Sequence, residues 1–259
     1  MFVFVTTCFN CEEFIEKCIK SVLSQNYKDW SMYIIDDASH DKSVEIAKRF
    51  ETQDKRIHVI ENKNNLGAVY NKTINFVQHA DPEDEDVIIT LDGDDYLTHE
   101  NVLSDLAKVY EEDAWITYGG FESNITFNEG FYNQVDWSKS LRSQSFCLSH
   151  LRSHKFFLLK NVRCEDLCNR KGALFRYPED IILFIPMVEM SGKEHTYFLK
   201  KTNYFYNVNL NSDGQDTKRK TYIDKIITND LSFRKPYRMK TKQELVNCVC
   251  DWTKYTKNI

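Results

Sequence analysis

Three short apolar runs alternate with stretches of helical period in the first part of the chain. The apolar runs are Phe2–Val5, Met32–Ile35 and Val87–Leu91, and the stretches of helical period are Glu12–Ser24 and Asp41–Phe50. Such an alternation favours parallel strands, because each helix carries the chain back to the same end of the sheet. The sequence therefore predicts an α/β fold, with a Rossmann-like, mostly parallel central sheet flanked by helices.

Each apolar run ends in a polar cluster. The clusters are Thr6–Asn10, Asp36–Ser39 and Asp92–Asp95. In a parallel sheet with right-handed crossovers, the carboxyl ends of the strands meet at one edge, which is where ligands bind. We therefore expect a nucleotide to lie across all three clusters.

The first helical stretch follows a capping-box pattern. Asn10 precedes the stretch, and Glu13 stands three positions after it. In a capping box, two side chains at this spacing accept hydrogen bonds from the first backbone N–H groups of a helix. The pattern predicts that this helix begins directly after Asn10.

The third cluster places three carboxylates within the four residues Asp92-Gly93-Asp94-Asp95. Carboxylates this close repel one another, whereas a hard divalent cation binds oxygen ligands and removes the repulsion. A metal–diphosphate site is therefore one hypothesis for this cluster. The alternative is a solvated acidic turn after a strand, because Asp-Gly favours a turn without any ligand.

Four motifs follow one another along the chain. They are Thr6-x-x-x-Asn10 followed by Glu12, Asp36-Asp37-x-Ser39, Asn65-x-Gly67-x-x-x-Asn71 and Asp92-x-Asp94-Asp95. Their order and spacing resemble those of the family 2 glycosyltransferases, which have the GT-A fold. The resemblance is closest over residues 1–120, and Glu179-Asp180 is similar to the Glu-Asp segment of that family. It implies a metal-dependent, inverting sugar transfer from a nucleotide-diphosphate donor, most often a UDP-sugar.

The resemblance assigns most of these residues to the nucleotide. It gives Asp36 the base-reading role and leaves Asp37 as structural support. The predicted nucleotide-binding residues are Thr6, Thr7, Phe9, Glu12, Asp36, Asp37, Asn65, Gly67, Asn71, Asp92 and Gly93. Two alternatives are structural: the aspartates cap the next helix, and Asn64-Asn65-Leu66-Gly67 is an ordinary turn before a helix.

The same resemblance assigns Asp94 to direct metal coordination and Asp92 to the ribose and the metal shell. The expected cofactor is Mn²⁺ or Mg²⁺, which bridges the two phosphates of the donor. Asp95 is expected to brace the loop or to contact the donor sugar.

Asp180 is the predicted general base, and Glu179 stands beside it in the predicted catalytic segment. An acceptor hydroxyl must lose its proton as it attacks the sugar, and one carboxylate near its oxygen performs that step. The pair precedes the apolar run Ile181–Ile185, which predicts a helix with both acids at its N-terminus. An acid there also interacts favourably with the helix dipole, so a structural role is the alternative. Glu179 and Asp166 are the alternative bases.

An aromatic-rich, irregular region between Phe121 and Arg176 is the expected acceptor side. Sugars present C–H faces to aromatic rings, and core packing is the alternative for most of these side chains. The aromatic residues are Phe127, Phe131, Tyr132, Trp137, Phe146, Phe156 and Phe157. His150 or Arg152 is expected to contact the acceptor or the diphosphate.

With 259 residues, the chain is long enough to bury a core as one domain. We assign residues 1–215 to a GT-A domain, with a nucleotide-sugar-binding half at 1–120 and an acceptor-binding and catalytic half at 121–215. Residues 216–259 form a predicted basic helical extension, in which nine Lys or Arg and three acids precede residue 243. This extension either contacts a phosphate or an anionic membrane surface, or presents a solvated helix face.

Charge and composition argue against several other classes. A net charge of −5 is unfavourable for a nucleic-acid-binding protein. No apolar run reaches the ~20 residues of a spanning helix, and no secretory signal follows Met1, so we expect a soluble, cytoplasmic protein. The eight cysteines are scattered, which favours reduced thiols over disulfides or a structural zinc site.

The resulting hypothesis is a glycosyltransferase whose partners are a nucleotide-diphosphate sugar and a glycan or other hydroxyl acceptor. A nucleotidyltransferase is an alternative, but that class needs a loop rich in glycine and Lys or Arg after the first strand. Thr6–Asn10 has neither. The other alternative is a GT-A-like module that binds glycan or nucleotide without turnover.

Overall fold

The computed structural model describes residues 1–125, 134–144, 147–208 and 234–248. Seven strands form a central sheet, and three further strands form a small sheet. Helices pack on both faces of the central sheet. The description below refers to these residues.

The first part of the chain alternates strands and helices, as predicted, and it contains one strand that the sequence did not predict, Ile57–Glu61. The strands are β1 (Phe2–Cys8), β2 (Trp30–Asp36), β3 (Ile57–Glu61) and β4 (Val87–Thr90), and the helices are α1 (Ile15–Leu23), α2 (Ser43–Gln53) and α3 (68–80). Helix α3 joins three consecutive stretches, Ala68–Tyr70, Asn71–Asn75 and Phe76–Ala80, and the middle stretch is a π-helix. Short π-helical insertions of this kind are frequent at functional sites.

The second part of the chain is less regular. It contains β5 (Tyr96–Leu97), α4 (Val102–Glu111), β6 (Ile116–Gly119), β7 (Glu122–Ser123), β8 (Arg152–Lys155), α5 (Phe156–Leu159), α6 (Glu179–Ser191), β9 (Thr196–Leu199), β10 (Tyr204–Tyr206) and α7 (Lys242–Val246). Helix α6 confirms the helix predicted after Glu179. Within the described residues, no helix is both long enough and apolar enough to cross a membrane.

The central sheet has the strand order β3-β2-β1-β4-β8-β6-β9. Strands β1, β2, β3 and β4 are parallel, and β9 is parallel to β6. Strand β8 runs antiparallel to both of its neighbours, β4 and β6. The sheet is therefore mostly parallel, as predicted. The register pairs Cys8 with Asp36 and Val5 with Thr90, so the carboxyl ends of β1, β2 and β4 lie at one edge.

The small sheet secures the chain beyond the acidic cluster. Strand β10 pairs antiparallel with β5 and parallel with β7. Because β5 begins at Tyr96, directly after Asp95, this pairing fixes the end of the loop that carries the three carboxylates.

Alternating side chains divide the core into two layers. Val3, Val5 and Ile88 face the layer that contains α6. Phe4 and Ile89 face the opposite layer, which contains α1 and α4. Almost every residue of α6 is buried, which explains why its apolar run is continuous rather than periodic.

The capping-box prediction for the first helix is wrong. Helix α1 begins at Ile15, and no side chain caps it. Asn10 has a positive φ of 53°, and its side-chain oxygen accepts a hydrogen bond from the backbone N–H of His40. The N–H of Asn10 donates to the hydroxyl of Ser39. Asn10 therefore ties the loop after β1 to the loop after β2, a long-range role that local spacing does not reveal.

Part of the predicted C-terminal extension packs on the rest of the chain. Leu245 is buried in the core, and the N–H of Lys240 donates to the carbonyl oxygen of Met190 in α6. Four of the described basic side chains bind groups of the same chain: Arg234 pairs with Asp166, Arg238 with Glu244, Lys240 with Asn161 and Lys242 with Glu85. Lys218, Arg219, Lys220 and Lys225 of the predicted extension lie outside the described residues.

Candidate active site

A cavity of about 320 Å³ opens beside the carboxyl ends of β1 and β4. The predicted site residues that line it are Thr7, Phe9, Asp37, Asn65, Gly67, Asn71, Asp92, Asp94 and Glu179. Residues that the sequence analysis did not assign to the site also line it, namely Cys8, Cys11, Ala68, Arg176 and Tyr177. The cavity therefore gathers all four motifs and the Glu-Asp segment.

Four of the predicted nucleotide-binding residues, Thr6, Glu12, Asp36 and Gly93, do not line this cavity. Thr6 points to the other face of the sheet from Thr7, since side chains alternate along a strand, and it is completely buried. Glu12 is exposed, and its carboxylate accepts a hydrogen bond of 2.9 Å from the N–H of Lys42, just before α2. Gly93 acts through its backbone, because its N–H donates to the carbonyl oxygen of Thr7.

Asp36 has one unsatisfied oxygen. Its Oδ2 accepts a hydrogen bond of 2.9 Å from the N–H of Ser39, whereas its Oδ1 is buried and has no partner among the described residues. Leaving a buried acceptor without a donor costs about 1–3 kcal/mol. Among the described residues this oxygen lacks a donor, although Asp36 itself does not line the cavity.

Asp37 holds the loop that follows β3. Its carboxylate accepts hydrogen bonds from the N–H groups of Leu66 and Gly67 and from the side chain of Asn62, at 2.7 to 3.0 Å. Asn62 also donates to the side-chain oxygen of Asn71, while the side-chain nitrogen of Asn71 is buried without a partner among the described residues. These bonds fix the amide group of Asn71, a residue that lines the cavity, with its nitrogen still unused within the described part of the chain.

Asp36 lends itself to a direct test. Asp36→Asn is expected to weaken the binding of uridine about tenfold in the absence of metal, because an amide NH₂ either replaces the free acceptor oxygen or displaces the Ser39 bond. Titration calorimetry with uridine measures the effect, and Asp41→Asn, in the next loop, is the control. An unchanged affinity for uridine would mean that Asp36 does not bind the base and has only the structural, capping role.

Gly67 is required where two segments approach closely. Its φ is +90°, and a Cβ at this position would lie 2.9 Å from the Cβ of Arg176. The guanidinium of Arg176 donates to the carbonyl oxygen of Asn65 at 3.0 Å. An ordinary turn therefore explains the positive φ of Gly67 but not the absence of room for a side chain. Contact with a segment more than 100 positions away explains the rest, and it brings an exposed cation to the rim of the cavity.

Lys72 is a buried cation beneath the cavity. Its ammonium lies 2.7 Å from Oδ1 of Asp92 and 2.7 Å from Oε1 of Glu179, and only 1% of its side chain is exposed. Burial alone would lower the pKa of Lys72, but the two carboxylates raise it above its usual value. Sequence analysis missed this residue, and its only signal is a position directly after Asn71 in a predicted helix.

Of the three carboxylates in the acidic cluster, that of Asp94 is the one without a bond to another side chain among the described residues. None of the hydrogen bonds or ion pairs of the described residues uses its side chain. Burial, together with the nearby Asp92, raises the pKa of Asp94 to about 6. A cation beside it would favour the charged form.

The oxygen donors suit Mn²⁺ or Mg²⁺. Asp92 and Asp94 both line the cavity, and within the described residues no group of three or more His, Cys, Asp or Glu side chains is arranged to hold a metal. Mg²⁺ is commonly held by one or two carboxylates together with substrate phosphates and water rather than by an all-protein cage. The site therefore fits an ion that arrives with a diphosphate.

Asp95 braces the loop, which was one of its two predicted roles. The hydroxyl of Tyr204 donates to its Oδ2 at 2.5 Å, and the N–H of Asn207 donates to its Oδ1 at 2.7 Å. Burial, followed by the charges of Asp94 and Asp92, raises the pKa of Asp95 well above its usual value. Both oxygens are used, so Asp95 is not available to the donor sugar in this arrangement.

Asp180 lies at the start of α6 beside Glu179, and of the two residues only Glu179 lines the cavity. Its Oδ2 is 3.3 Å from a guanidinium nitrogen of Arg152, and its Oδ1 accepts a hydrogen bond from the N–H of Ile181. Burial raises the pKa of Asp180 and outweighs the lowering effect of Arg152. The second bond supports the helix-terminus alternative, while 29% exposure of the side chain leaves the carboxylate accessible.

Asp166 is not a suitable base, which corrects that alternative. Only 1% of its side chain is exposed, and its two oxygens bind Arg163, Arg234 and the hydroxyl of Tyr237. These partners lower the pKa of Asp166 although burial alone would raise it. Its role is to join the segment around Tyr237 to the rest of the chain.

The predicted acceptor region is only partly described. Phe127, Phe131, Tyr132 and Phe146 lie outside the described residues. Phe156 and Phe157 belong to the core layer of α6, so the core-packing alternative is correct for them, whereas Trp137 is 37% exposed. The ring of His150 stacks on Tyr204, and burial lowers the pKa of His150 well below its usual value. A neutral imidazole does not attract a diphosphate. Of the two predicted residues, Arg152 is therefore the more suitable partner for a diphosphate.

Comparison with protein families identifies one match. The family described as Glycosyl transferase family 2 matches residues 3–167, which is more than half of the chain. The matched region contains all four motifs and ends before the Glu-Asp segment.

Relatives and solved structures agree with this match. Glycosyltransferase GlyG of Streptococcus pneumoniae is 28% identical over 191 residues, which are 73% of this chain and 56% of the relative. The chain thus spans little more than half the length of that relative. TarS of S. aureus in complex with UDP-GlcNAc has a TM-score of 0.61 at 18% identity, over 80% of this chain and 58% of that chain.

A second solved structure has a similar fold. The mannosyltransferase PcManGT from Pyrobaculum calidifontis, in complex with GDP-Man and Mn²⁺, has a TM-score of 0.61 at 15% identity. The match covers 91% of this chain and 65% of that chain. At these identities the likeness concerns the fold alone, and it confirms the predicted GT-A type of α/β architecture.

Proposed function

Because this chain belongs to glycosyltransferase family 2, we propose that it transfers a sugar from a nucleotide-diphosphate donor to a hydroxyl of a glycan or other acceptor, with inversion. The observation that carries the proposal is the cavity in which Phe9, Asn71, Asp92, Asp94 and Glu179 converge. These residues come from distant parts of the chain, and their chemistry matches a nucleotide, its phosphates and a divalent ion. The family membership also favours this function over nucleotidyl transfer.

The nucleotide would lie across the first two clusters. Phe9 lines the cavity with 47% of its surface exposed, and such a ring provides a face on which a planar base stacks. The free oxygen of Asp36 would accept a hydrogen bond from the base, such as the N–H of uracil. We propose UDP as the carrier, since TarS in complex with UDP-GlcNAc shares the fold.

The diphosphate would lie between the acidic cluster and Arg176. Asp94 and Asp92 would hold Mn²⁺ or Mg²⁺, which, when bound, neutralises charge on the departing diphosphate. Arg176 supplies a cation at the rim of the cavity, and the amide nitrogen of Asn71 supplies a hydrogen-bond donor. Both groups stabilise phosphate oxygens without depending on the ion.

Asp180 would act as the base. The acceptor oxygen attacks the anomeric carbon from the face opposite the diphosphate, its proton passes to Asp180, and the bond to the diphosphate oxygen breaks. This single displacement inverts the anomeric centre. The raised pKa of Asp180 makes it a stronger proton acceptor, and the nearby Arg152 keeps its carboxylate in place.

The test is a panel of nucleotide sugars in a thermal-shift assay, with and without Mn²⁺. One donor at 100 times its Kd is expected to stabilise the fold by about 2.7 kcal/mol, and the shift should depend on the ion. Mn²⁺ alone is the control. The donor that stands out is then incubated with the protein and Mn²⁺.

The products separate the three functional classes. Release of a nucleoside diphosphate supports sugar transfer, whereas release of a sugar 1-phosphate, the leaving group when the nucleotidyl phosphorus is attacked, indicates nucleotidyl transfer. Stabilisation without any release, even with a panel of hydroxyl acceptors, indicates a binding module. A panel in which no nucleotide sugar stabilises the protein would exclude the proposed donor class altogether.

A further inference from the structure

Lys72 stands out among the buried charges of the molecule. Lysine is almost never fully buried unless its charge is paired, and here only 1% of the side chain is exposed. Its ammonium makes two bonds of 2.7 Å, one to Asp92 and one to Glu179. Neither bond is local, because Glu179 is 107 positions away along the chain.

These two partners belong to different parts of the proposed site. Asp92 follows β4 and belongs to the acidic cluster that would hold the diphosphate. Glu179 is the first residue of α6, and the next residue is Asp180, the proposed base. The ammonium of Lys72 is therefore a direct link between the donor side and the base side of the cavity.

Lys72 itself does not line the cavity. Its neighbour Asn71 does, and both residues belong to the π-helical stretch Asn71–Asn75 of α3. The lysine side chain points inward, where its ammonium lies below the carboxylates that line the cavity. It therefore acts on the substrate through Asp92 and Glu179 rather than by touching it.

We propose that Lys72 is the positioning residue that sets the distance between the diphosphate site and the general base. This inference rests on the proposed function. Asp92 and Glu179 both carry negative charge, and Lys72 bonds directly to both, while Arg152 is a further cation near them. Without the ammonium of Lys72, no direct bond among the described residues offsets the repulsion between the two carboxylates. Repulsion at the first residue of α6 displaces Asp180 from the acceptor oxygen, and a displacement of about 1 Å costs roughly 10²-fold in rate.

The first test is Lys72→Met, which keeps the length of the side chain and removes its charge. The turnover rate with the donor identified by the panel is expected to fall about 10²-fold. The affinity for UDP, measured by calorimetry with Mn²⁺, is expected to change by no more than a few-fold. Lys72→Arg keeps the charge and is expected to recover part of the rate.

The second test is a double-mutant cycle with Glu179→Gln. The single variant Lys72→Met leaves the carboxylate of Glu179 buried and unpaired, whereas the double variant removes both charges. The combined loss of rate is therefore expected to be at least about tenfold smaller than the product of the two single losses. If Lys72→Met does not fold, the double variant is compared with Glu179→Gln alone, and at most about a tenfold difference in rate is expected between those two.

Lys160→Met is the matched control. Lys160 has only 10% of its side chain exposed, and its ammonium bonds to Asp84 and to the carbonyl oxygen of Val246, away from the cavity. The same chemical change there is expected to lower the melting temperature and to leave the turnover rate of the folded protein unchanged. It separates loss of a buried lysine in general from loss of Lys72 in particular.

Three results would overturn the proposal. A folded Lys72→Met variant with a rate near that of the parent would show that the link is not needed. An equal loss of rate and of UDP affinity would place Lys72 in donor binding instead. Single losses of rate that simply multiply in the double variant would exclude action through Glu179.

A parent that releases no UDP from any donor would contradict the proposed function itself, before any Lys72 variant is made.

Discussion

Asp94→Asn is expected to abolish the Mn²⁺-dependent binding of UDP while leaving the fold intact. Loss of an outer-shell partner costs roughly 10- to 100-fold in metal affinity, so loss of a direct carboxylate ligand should cost at least 100-fold. The fold does not depend on this side chain, because it makes no hydrogen bond or ion pair within the described residues. Burial, together with the charge of Asp92, raises the pKa of Asp94 to about 6, and both make its charge unfavourable without a cation.

Calorimetry with UDP, in Mn²⁺ and then in EDTA, measures this effect. The parent should lose affinity when the ion is removed, and the variant should bind weakly under both conditions. Asp105→Asn is the control, since Asp105 lies in α4 and pairs with Lys201 at the surface. The metal assignment is wrong if Asp94→Asn binds UDP with Mn²⁺ as tightly as the parent does. The melting temperature of the variant should not fall, because the change removes a repulsion with Asp92.

Asp180→Asn is expected to bind donor and ion normally but to transfer sugar at least about 10²-fold more slowly. General-base assistance contributes roughly 10²- to 10⁴-fold, and asparagine does not accept the proton. The substitution keeps an oxygen that accepts the N–H of Ile181, so the start of α6 is preserved. The substitution should therefore lower the turnover rate without changing the affinity for UDP.

The measurement is the turnover rate at saturating donor and acceptor, beside the Kd of UDP with Mn²⁺. Asp84→Asn removes the acidic partner of the buried Lys160, as Asp180→Asn removes that of the buried Arg152, and it is the control for general loss of charge. A rate within a few-fold of the parent would exclude Asp180 as the base and would transfer the role to Glu179, since Asp166 is enclosed by its partners. A lost UDP affinity would instead mean that Asp180 supports the fold or the metal site.

The elements predicted from sequence are those whose pattern reflects burial. The apolar runs at Phe2, Met32 and Val87 form strands β1, β2 and β4, and the run after Asp180 forms α6. A continuous apolar run is the direct consequence of burial on all sides, so no knowledge of the partner elements is needed to recognise it. Parallel pairing and the meeting of strand ends then follow from chain connectivity.

Helix ends were predicted less well. The capping-box pattern at Asn10 has the right spacing, but the helix begins at Ile15, since Asn10 bonds to the loop after β2. Local spacing describes the bonds a side chain is able to make. It does not describe competing partners that are distant in sequence and close in space.

The motifs identified residues around the cavity but not the role of each residue. Asp36 and Asp37 are adjacent in sequence, yet one has a free oxygen and the other holds a loop with every oxygen occupied. Asp94 and Asp95 differ in the same way, because Tyr204 and Asn207 bind only the second of them. Neighbouring acids on a loop point in different directions, and what each one meets depends on elements elsewhere in the chain.

Burial, strand direction and the acidic edge of the sheet were thus readable from the order of residues, because each depends on local composition and connectivity. The pairing of Lys72 with Glu179, the approach of Arg176 to Gly67 and the enclosure of Asp166 were not. Each joins side chains that are far apart in sequence, and its energy arises only when the folded chain brings opposite charges or close-packed backbones together. No local pattern records such a contact, so it appears only in three dimensions.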